Sequence, residues 1–431
     1  MSKRFRVLAA FLVLTIAILA CAVPAIPPIG QPTQNNATAI LPASPDPNQV
    51  GTAVAMTLTA AVPGGGSTAT TSETGNTATP APGGSADVLP HTLYYLAPDS
   101  AGVTQIFRME RDGETPHQIT TESASVNDYD VSLTDGAVAY VANNQLLYAN
   151  ADGSERRVLV DGGVADPNNP FLTNLSSPVF SPDGQTLAYG FKGLQIYSFS
   201  TGQSELVIEN EVNDAGGGLF TPRELYSPER FSPDGTKLLI TLSYQEGGSS
   251  AVYYPNTKSL VRLQGGEGAL ICCDDVEWAA DSSSFYAASS SAGTFTPGLW
   301  KIDAATGEVT TLIPGGSGGD NYNAAKEAYL APDGQLYFFF GTVNSAEGMF
   351  NRAPLQLVRS APDGVTGRTV LNGGDFHLLN EALWATDASF VIVALASDQN
   401  SYEGGQAEVV YLDGRPNVVL TQFAQKMRWG P

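Results

Sequence analysis

Beyond Leu89 the chain alternates short apolar runs with polar turn phrases. The phrase "FSPDG" occurs at Phe180–Gly184 and again at Phe231–Gly235, and an apolar run follows each copy. In a type I turn, Pro fixes φ at the second position, Asp bonds the local backbone, and Gly takes the positive φ that follows. Each phrase therefore predicts a hairpin corner between two β-strands.

The corner phrases repeat at a nearly constant interval. Each corner is followed by one strand-like run such as "TLAYGF", then by a second run, and then by a third after a turn that contains Gly or Asn. Units of four antiparallel strands and about 50 residues are typical of propeller blades. The sequence therefore predicts an all-β propeller. The corner aspartates, at intervals of 48, 51, 47, 52 and 54 residues, are Asp135, Asp183, Asp234, Asp281, Asp333 and Asp387.

Strand counting at the two ends of this region predicts how the propeller closes. The runs that begin at His91 correspond to the second, third and fourth strands of a unit, with no first strand before them. The final phrase "KMRWG" is a first strand with no unit after it. Pairing the two ends would remove two exposed sheet edges. We therefore expect residues 90–431 to form seven four-stranded antiparallel blades, with Trp429 buried like the earlier corner tryptophans.

The N-terminus has the pattern of an export signal. A basic start is followed by 14 uncharged residues, 7–20, and then by Cys21. This run is shorter than the roughly 20 residues needed to span a bilayer. The phrase "ILAC" resembles the lipobox of bacterial lipoproteins, with Ile18 in place of the usual leucine. The resemblance implies that residues 1–20 are a cleaved signal peptide and that Cys21 is lipidated. The alternative is an uncleaved membrane anchor, and both hypotheses place the rest of the chain outside the cytoplasm.

Composition separates a linker from the propeller and excludes one class of partner. Residues 21–89 are dominated by Pro, Thr, Ala, Gly and Ser, which predicts a flexible tether. The whole chain has 21 Lys and Arg against 43 Asp and Glu, a formal net charge of −22. Nucleic-acid binding needs clustered cations, so we expect no nucleic-acid partner.

Two longer stretches and the "FSPDG" corners resemble the TolB-like propeller repeats of exported bacterial proteins. The stretches are "QIFRMERDGETPHQIT", from Gln105, and "QLLYANADGSERRVLV", from Gln145. The resemblance covers residues 90–431 and implies an extracytoplasmic binding scaffold. TolB itself has six blades and an additional α/β domain, so the expected seven blades depart from it. No catalytic residue is carried over.

Loop lengths predict which face of the propeller binds a partner. In a meander, the first-to-second and third-to-fourth turns lie on one face, which we call the short-turn face. The second-to-third connections and the links between blades lie on the other, the long-loop face. The long connections expected there are 161–177, 209–228, 289–297, 314–327, 341–354 and 396–406. Long loops on a rigid scaffold often carry binding residues. The candidates are Asn213, Asp214, Phe220, Arg223, Glu224, Tyr226, Asp320, Asn321, Tyr322 and Lys326.

The adjacent Cys272 and Cys273 are the only cysteines besides Cys21. In an oxidising compartment they could form a vicinal disulfide, although its small ring is strained. Two reduced, small apolar residues in a strand are the alternative, and the sequence leaves both open.

Motifs for catalysis, metals and cofactors are absent from the sequence. The three histidines are scattered without metal-ligand spacing, and there is no Gly-x-Ser-x-Gly motif or phosphate loop. We therefore expect a lipid-anchored, non-enzymatic binding module on the extracytoplasmic side of a bacterial cell membrane, with a protein or carbohydrate partner and no metal or cofactor. The alternatives are a glycosidase or lyase with acids at the channel mouth, and a structural scaffold in an envelope complex.

Overall fold

Strands make up most of the chain that the computed structural model describes. The described residues are 87–245, 247–264, 275–290, 297–316, 321–344, 352 and 354–431, and all lie in one unit, Pro80–Pro431. Cys21, Cys272, Cys273 and Asp320 lie outside them. The strands are β1 Leu93–Pro98, β2 Thr104–Met109, β3 Pro116–Gln118, β4 Val126–Val131, β5 Val138–Ala142, β6 Gln145–Ala149, β7 Arg157–Asp161, β8 Ser176–Phe180, β9 Thr186–Gly190, β10 Gly193–Ser198, β11 Gln203–Glu209, β12 Glu211–Gly216, β13 Leu219–Phe231, β14 Leu238–Tyr244, β15 Gly247–Tyr254, β16 Ser259–Arg262, β17 Asp275–Trp278, β18 Ser284–Ser289, β19 Gly298–Asp303, β20 Val309–Pro314, β21 Asn321–Leu330, β22 Leu336–Asn344, β23 Leu355–Ser360, β24 Thr369–Phe376, β25 Leu379–Trp384, β26 Phe390–Leu395, β27 Gly405–Tyr411 and β28 Val418–Trp429. A short helix, α1, spans Pro170–Thr173.

The strands form consecutive antiparallel sheets, as the repeat predicts. Four sheets contain four strands each: β4–β7, β8–β11, β17–β20 and β21–β24. A fifth sheet, β12–β16, has an additional strand at its start. We call β4, β8, β13, β17, β21, β25 and the C-terminal part of β28 the inner strands.

The C-terminal strand β28 belongs to two groups of strands at once. Its first part pairs antiparallel with β27, and its last residues pair antiparallel with β1, where Trp429 lies opposite Leu93 and Arg428 opposite Tyr94. The sheet therefore runs from β25 through β28 into β1, β2 and β3. This is the strand pairing that the unmatched "KMRWG" predicts.

Each predicted corner has the hydrogen bonds that its sequence requires. At the first "FSPDG", Asp183 Oδ1 accepts from the Ser181 hydroxyl at 2.6 Å and from the Gln185 amide at 3.0 Å. The Ser181 hydroxyl lowers the pKa of the Asp183 carboxyl below its usual value. Gly184 has φ +68°, a conformation that L side chains rarely adopt. The corner sequence thus sets the turn geometry locally.

Apolar side chains from adjacent sheets pack together, and tryptophans link neighbouring inner strands. The indole N–H of Trp278 donates to the Arg230 carbonyl at 3.3 Å, and that of Trp384 donates to the Glu327 carbonyl at 2.9 Å. The indole N–H of Trp429 donates to the Trp384 carbonyl at 2.8 Å. Trp429 therefore makes the same bridging contact as the two earlier corner tryptophans, although it is partly rather than fully buried.

Three of the connections expected to be long loops contain paired strand residues in the parts that the structure describes. Residues 209–228 fold into the β12–β13 hairpin, whose tip contains Gly216, Gly217 and Gly218, all with positive φ. All of residues 321–327 lie in β21, and β22 continues to Asn344. The loop expectation was wrong here because paired strands satisfy each other's backbone N–H and C=O groups, which an extended polar segment would otherwise expose. The polar side chains of residues 211–224 lie on the β12–β13 hairpin.

Candidate functional site

The inner strands surround one large cavity, which we call the axial cavity. Its volume is about 1820 Å³, and residues of all seven inner strands line it. It extends from the corner residues Pro182 and Pro233 on the short-turn face to Tyr322 and Tyr402 at the opposite end. Successive side chains of a strand point to opposite sides. Along each inner strand, residues that face the cavity therefore alternate with residues that face a neighbouring sheet.

The lining is rich in charge of both signs. Carboxylates outnumber cations, so the cavity wall carries a net negative formal charge. The acidic residues in the lining are Asp128, Asp130, Glu229, Glu277, Glu327, Glu381 and Glu403, and the basic residues are Arg230, Lys326, Arg352, Lys426 and Arg428.

Arg428 lies between two carboxylates from neighbouring strands. Its Nε is 3.7 Å from Asp130 Oδ1, and its charge also lowers the pKa of Glu381. Burial outweighs this attraction, so the pKa values of both the Asp130 and Glu381 carboxyls are raised above their usual values. The C-terminal strand is thus held electrostatically to β4 and β25.

The same carboxylates also accept backbone hydrogen bonds across strand boundaries. Asp130 Oδ2 accepts from the Phe180 amide at 2.7 Å, and Glu381 Oε1 accepts from the Met427 amide. Glu327 Oε1 accepts from the Ala382 amide at 3.0 Å. Each bond joins one inner strand to the next. These three carboxylates therefore have a clear structural role.

Other charged side chains of the lining form ion pairs with one another. Arg230 pairs with Glu277, and this carboxylate raises the pKa of the guanidinium. Lys426 Nζ lies 2.9 Å from Asp128 Oδ1. Opposite charges near 4 Å or closer attract strongly where water is limited. Two arginine or lysine side chains of the cavity wall are therefore neutralised by carboxylates of the same wall.

The residues predicted on the β12–β13 hairpin do not line the axial cavity. Asn213 pairs with Thr221 and Asp214 with Phe220 across the hairpin. The Asp214 carboxylate accepts from the Gly216 amide at 2.7 Å, which stabilises the turn. These residues lie on the projecting part of the long-loop face.

Further down the hairpin, the predicted residues are engaged within the protein. The Arg223 Nε is 3.2 Å from Glu211 Oε2, and Glu224 pairs with Arg262. Tyr226 is only 4% exposed and packs in the apolar core between sheets. Tyr226 is therefore a core residue, and a ligand cannot reach most of its side chain.

Asparagine side chains fix the long connection between β7 and β8 against this hairpin. Asn169 Nδ2 donates to the Gly218 carbonyl at 2.9 Å, and Asn169 Oδ1 accepts from the Phe220 amide at 3.0 Å. Asn144 Nδ2 donates to the Thr173 carbonyl at 2.9 Å. A buried amide that satisfies backbone groups on two segments orders both of them. This part of the long-loop face is therefore built from mutually supporting segments.

Two residues of the second predicted group reach the axial cavity. Tyr322 and Lys326, both on β21, line it, and burial raises the pKa of the Tyr322 hydroxyl. The ammonium group of Lys326 lies 3.7 Å from Glu327 Oε1. Asn321 is exposed at the start of the same strand. The predicted candidates thus occupy two separate places, the hairpin and the cavity.

Sequence reasoning missed most of the cavity lining, although a signal was present. Arg230, Glu277 and Arg428 each immediately precede the aromatic residue of a corner phrase, and Asp130 precedes Val131 in the same position. Because strand side chains alternate, the residue before a core-facing one points to the opposite side. The missed mouth residues Arg352, Asn380 and Tyr402 have no comparable local signal.

The described residues contain neither a cluster of metal ligands nor a membrane-spanning helix. They contain no group of three or more His, Cys, Asp or Glu side chains arranged to hold a metal ion. Within the same residues, no helix has the length and apolar character needed to cross a bilayer.

Comparisons with known proteins bear on the fold. No protein-family model matches the sequence, and no curated protein sequence matches it. Similar solved structures include TolB from Acinetobacter baumannii, with 16% identity, coverage of 76% of this chain and 79% of that chain, and a TM-score of 0.41. A prolyl endopeptidase has 14% identity, coverage of 79% and 49%, and a TM-score of 0.50. A puromycin-hydrolyzing peptidase from Mycobacterium tuberculosis has 14% identity, coverage of 78% and 52%, and a TM-score of 0.48.

The chain spans about half the length of the two peptidases. Identities this low concern the fold alone, so the activities of these proteins are not transferred. The repeat phrases and the consecutive four-stranded antiparallel sheets agree with each other. The predicted β-propeller fold is confirmed, and TolB proteins are among the solved structures that the chain resembles.

Proposed function

We propose that this chain is an extracytoplasmic, lipid-anchored binding module that holds a protein or glycan partner on its long-loop face. The observation that carries the proposal is the axial cavity of about 1820 Å³, whose mouth on that face is lined by Tyr322, Arg352 and Tyr402. Large concave sites with a few polar groups among aromatic side chains are typical binding sites. Rigid segments beside the mouth add further contact surface.

The proposed scaffold is a closed ring of seven blades. The pairing of β28 with both β27 and β1 supports closure, because it leaves no free edge between the last blade and the first. The strand count supports seven, because the last part of β28 completes a four-stranded unit with β1, β2 and β3. A closed ring would hold the mouth residues at fixed distances from one another.

The attachment point of the tether supports use of the long-loop face. The amides of Val88 and Leu89 both donate to the Arg111 carbonyl, and Arg111 pairs with Asp87 at 2.8 Å. Arg111 begins the turn between β2 and β3, a third-to-fourth turn on the short-turn face. The chain therefore enters the propeller on the short-turn face, at the end opposite to the proposed binding face.

We propose a non-enzymatic module, because most carboxylates that line the axial cavity are held in ion pairs or hydrogen bonds within the protein. Hydrolysis of a glycoside needs two carboxyl groups free to act on a substrate. Asp128 and Glu277 are in ion pairs, and Asp130, Glu327 and Glu381 accept backbone hydrogen bonds. The glycosidase or lyase alternative would have to use these engaged carboxyl groups or the two other acids of the lining, Glu229 and Glu403. A scaffold in an envelope complex is the remaining alternative.

Cross-linking in intact cells tests whether the long-loop face captures a partner. Leu219, at the hairpin tip, is 49% exposed, and Val365, in a short turn on the opposite face, is 57% exposed. We expect Leu219→Asp to weaken capture of at least one cross-linked species several-fold, because a charge at an apolar contact must be desolvated. The matched control Val365→Asp should capture the wild-type set.

Thermal unfolding of both variants provides the stability control, since both positions are exposed. If the Leu219→Asp variant retains the complete captured set and the Val365→Asp variant loses part of it, the assignment of the binding face is wrong. If neither variant changes the set, the hairpin is not part of the binding surface.

A further inference from the structure

The mouth of the axial cavity contains an arginine held in place by acceptors that carry no formal charge. Arg352 Nη1 donates to the Ser401 carbonyl at 2.7 Å, and Nη2 donates to the Leu379 carbonyl at 3.0 Å and to the side-chain oxygen of Asn380. Asn380 is itself oriented by donation from Nδ2 to the Ser401 and Gly404 carbonyls. These contacts fix the guanidinium plane at the cavity wall.

The guanidinium has donors left over and, in the part of the chain that the structure describes, no carboxylate partner. Its three hydrogen bonds go to three acceptors, fewer than the N–H groups that a guanidinium carries. Among the described residues, no carboxylate oxygen lies within ion-pair distance of Arg352. The nearby Asp398 carboxylate instead accepts from the Asn400 amide and the Ser401 hydroxyl. An acceptor from outside the chain could therefore complete the coordination of Arg352.

An aromatic side chain covers this arginine and defines the rest of the subsite. The Arg352 guanidinium carbon lies 5.4 Å from the centre of the Tyr402 ring, which is 62% exposed. A cation over an aromatic face is partly desolvated, which strengthens its interaction with an anion. The exposed ring also offers apolar surface beside the charge.

A second tyrosine-stacked arginine, Arg415, provides a comparison for Arg352. Arg415 lies 3.9 Å from the centre of the Tyr411 ring, but its Nε also pairs with Asp413 at 2.8 Å. Arg415 is thus a tyrosine-stacked arginine with an internal counter-ion. It provides a matched control for Arg352, which has the stacking partner without the carboxylate.

We infer that Arg352, oriented by Asn380 and flanked by Tyr402, is a subsite for a ligand carboxylate next to an apolar group, such as the C-terminal residue of a polypeptide. This inference deepens the proposed function, on which it rests, by naming the group that the mouth recognises. The planar guanidinium matches the two oxygens of a carboxylate. The net negative cavity lining favours a singly charged carboxylate over a doubly charged phosphate.

The test compares N-acetyl-tyrosine, which has a free carboxylate, with N-acetyl-tyrosinamide, which does not. Dissociation constants are measured by ligand-observed NMR on the full mature chain, with wild type, Arg352→Gln and Arg415→Gln. We expect wild type and Arg415→Gln to bind the carboxylate about 10-fold more tightly than the amide, as charge-assisted hydrogen bonds imply. The Arg352→Gln variant should bind both probes equally.

A second measurement needs no variant and covers the case in which Arg352→Gln does not fold. Phenylglyoxal modification of wild-type arginines is followed by mass spectrometry, and N-acetyl-tyrosine should slow the modification of Arg352 several-fold without protecting Arg415. Equal binding of the two probes by wild type, or absence of protection at Arg352, would overturn the subsite. So would displacement of the probe by inorganic phosphate at a lower concentration than by acetate.

These results are independent of the cross-linking test. A wild-type protein that fails to discriminate between the probes, but still loses a captured partner on Leu219→Asp, would refute the carboxylate subsite and support the proposed function. Discrimination between the probes together with an unchanged captured set in both surface variants would support the carboxylate subsite and exclude the hairpin from the binding surface.

Discussion

Deletion of residues 426–431 is expected to lower the free energy of unfolding by at least about 4 kcal/mol, since loss of one large core aromatic alone costs about 3–5 kcal/mol. The deletion removes Trp429, the fully buried Met427 and the pairing of β28 with β1. It also removes the ion pairs of Lys426 and Arg428 with β4. The measurement is denaturant unfolding of the domain that begins at Asp87.

Removal of Pro431 alone is the control for this deletion, because that residue is exposed and lies beyond the last strand. It should leave the unfolding midpoint close to that of wild type. An unchanged midpoint in the six-residue deletion would contradict closure through the C-terminal strand, since an open ring would already expose both sheet edges.

Cys21→Ala is expected to move the protein from the membrane fraction to the soluble fraction of disrupted cells. The thiol of Cys21 is the proposed attachment point for the lipid, and lipid chains contribute about 0.8 kcal/mol of membrane affinity per buried CH₂. Cell fractionation followed by mass spectrometry of the mature N-terminus measures both location and lipidation. Cys272→Ala, which leaves the export signal unchanged, is the control.

Full membrane retention of Cys21→Ala would instead favour the uncleaved anchor. In that case the mass of the protein should include residues 1–20. The two hypotheses are therefore separated by one fractionation and one mass, without reference to any partner.

The sequence predicts those parts of the β-propeller whose structure is determined by a few neighbouring residues. The corner at Phe180–Gly184 encodes its own turn, because the serine, aspartate and glycine each satisfy a nearby backbone requirement. Strand β18 occupies the predicted run from Ser284, and β28 contains the unmatched phrase that ends the chain. Period-two patterns and fixed turn chemistry are properties of short segments, so they can be read without the rest of the fold.

The candidate site was harder to predict because tertiary contacts build it. The hairpin around Gly217 has polar residues on both strands, and only pairing between β12 and β13 distinguishes it from a loop. The meander brings Asn380 on β25 together with Arg352 and Tyr402, which lie in two separate connections. Sequence spacing carries no information about such a meeting of distant segments.

Site-specific photo-cross-linking in intact cells tests the central claim, that the mouth on the long-loop face binds a partner, most directly. A benzophenone amino acid is placed at Tyr402 on the mouth or at Val365 on the short-turn face, both of which are exposed. The proposed function predicts a discrete adduct from position 402 and none from position 365. Adducts from position 365 alone, or from neither position, would contradict it.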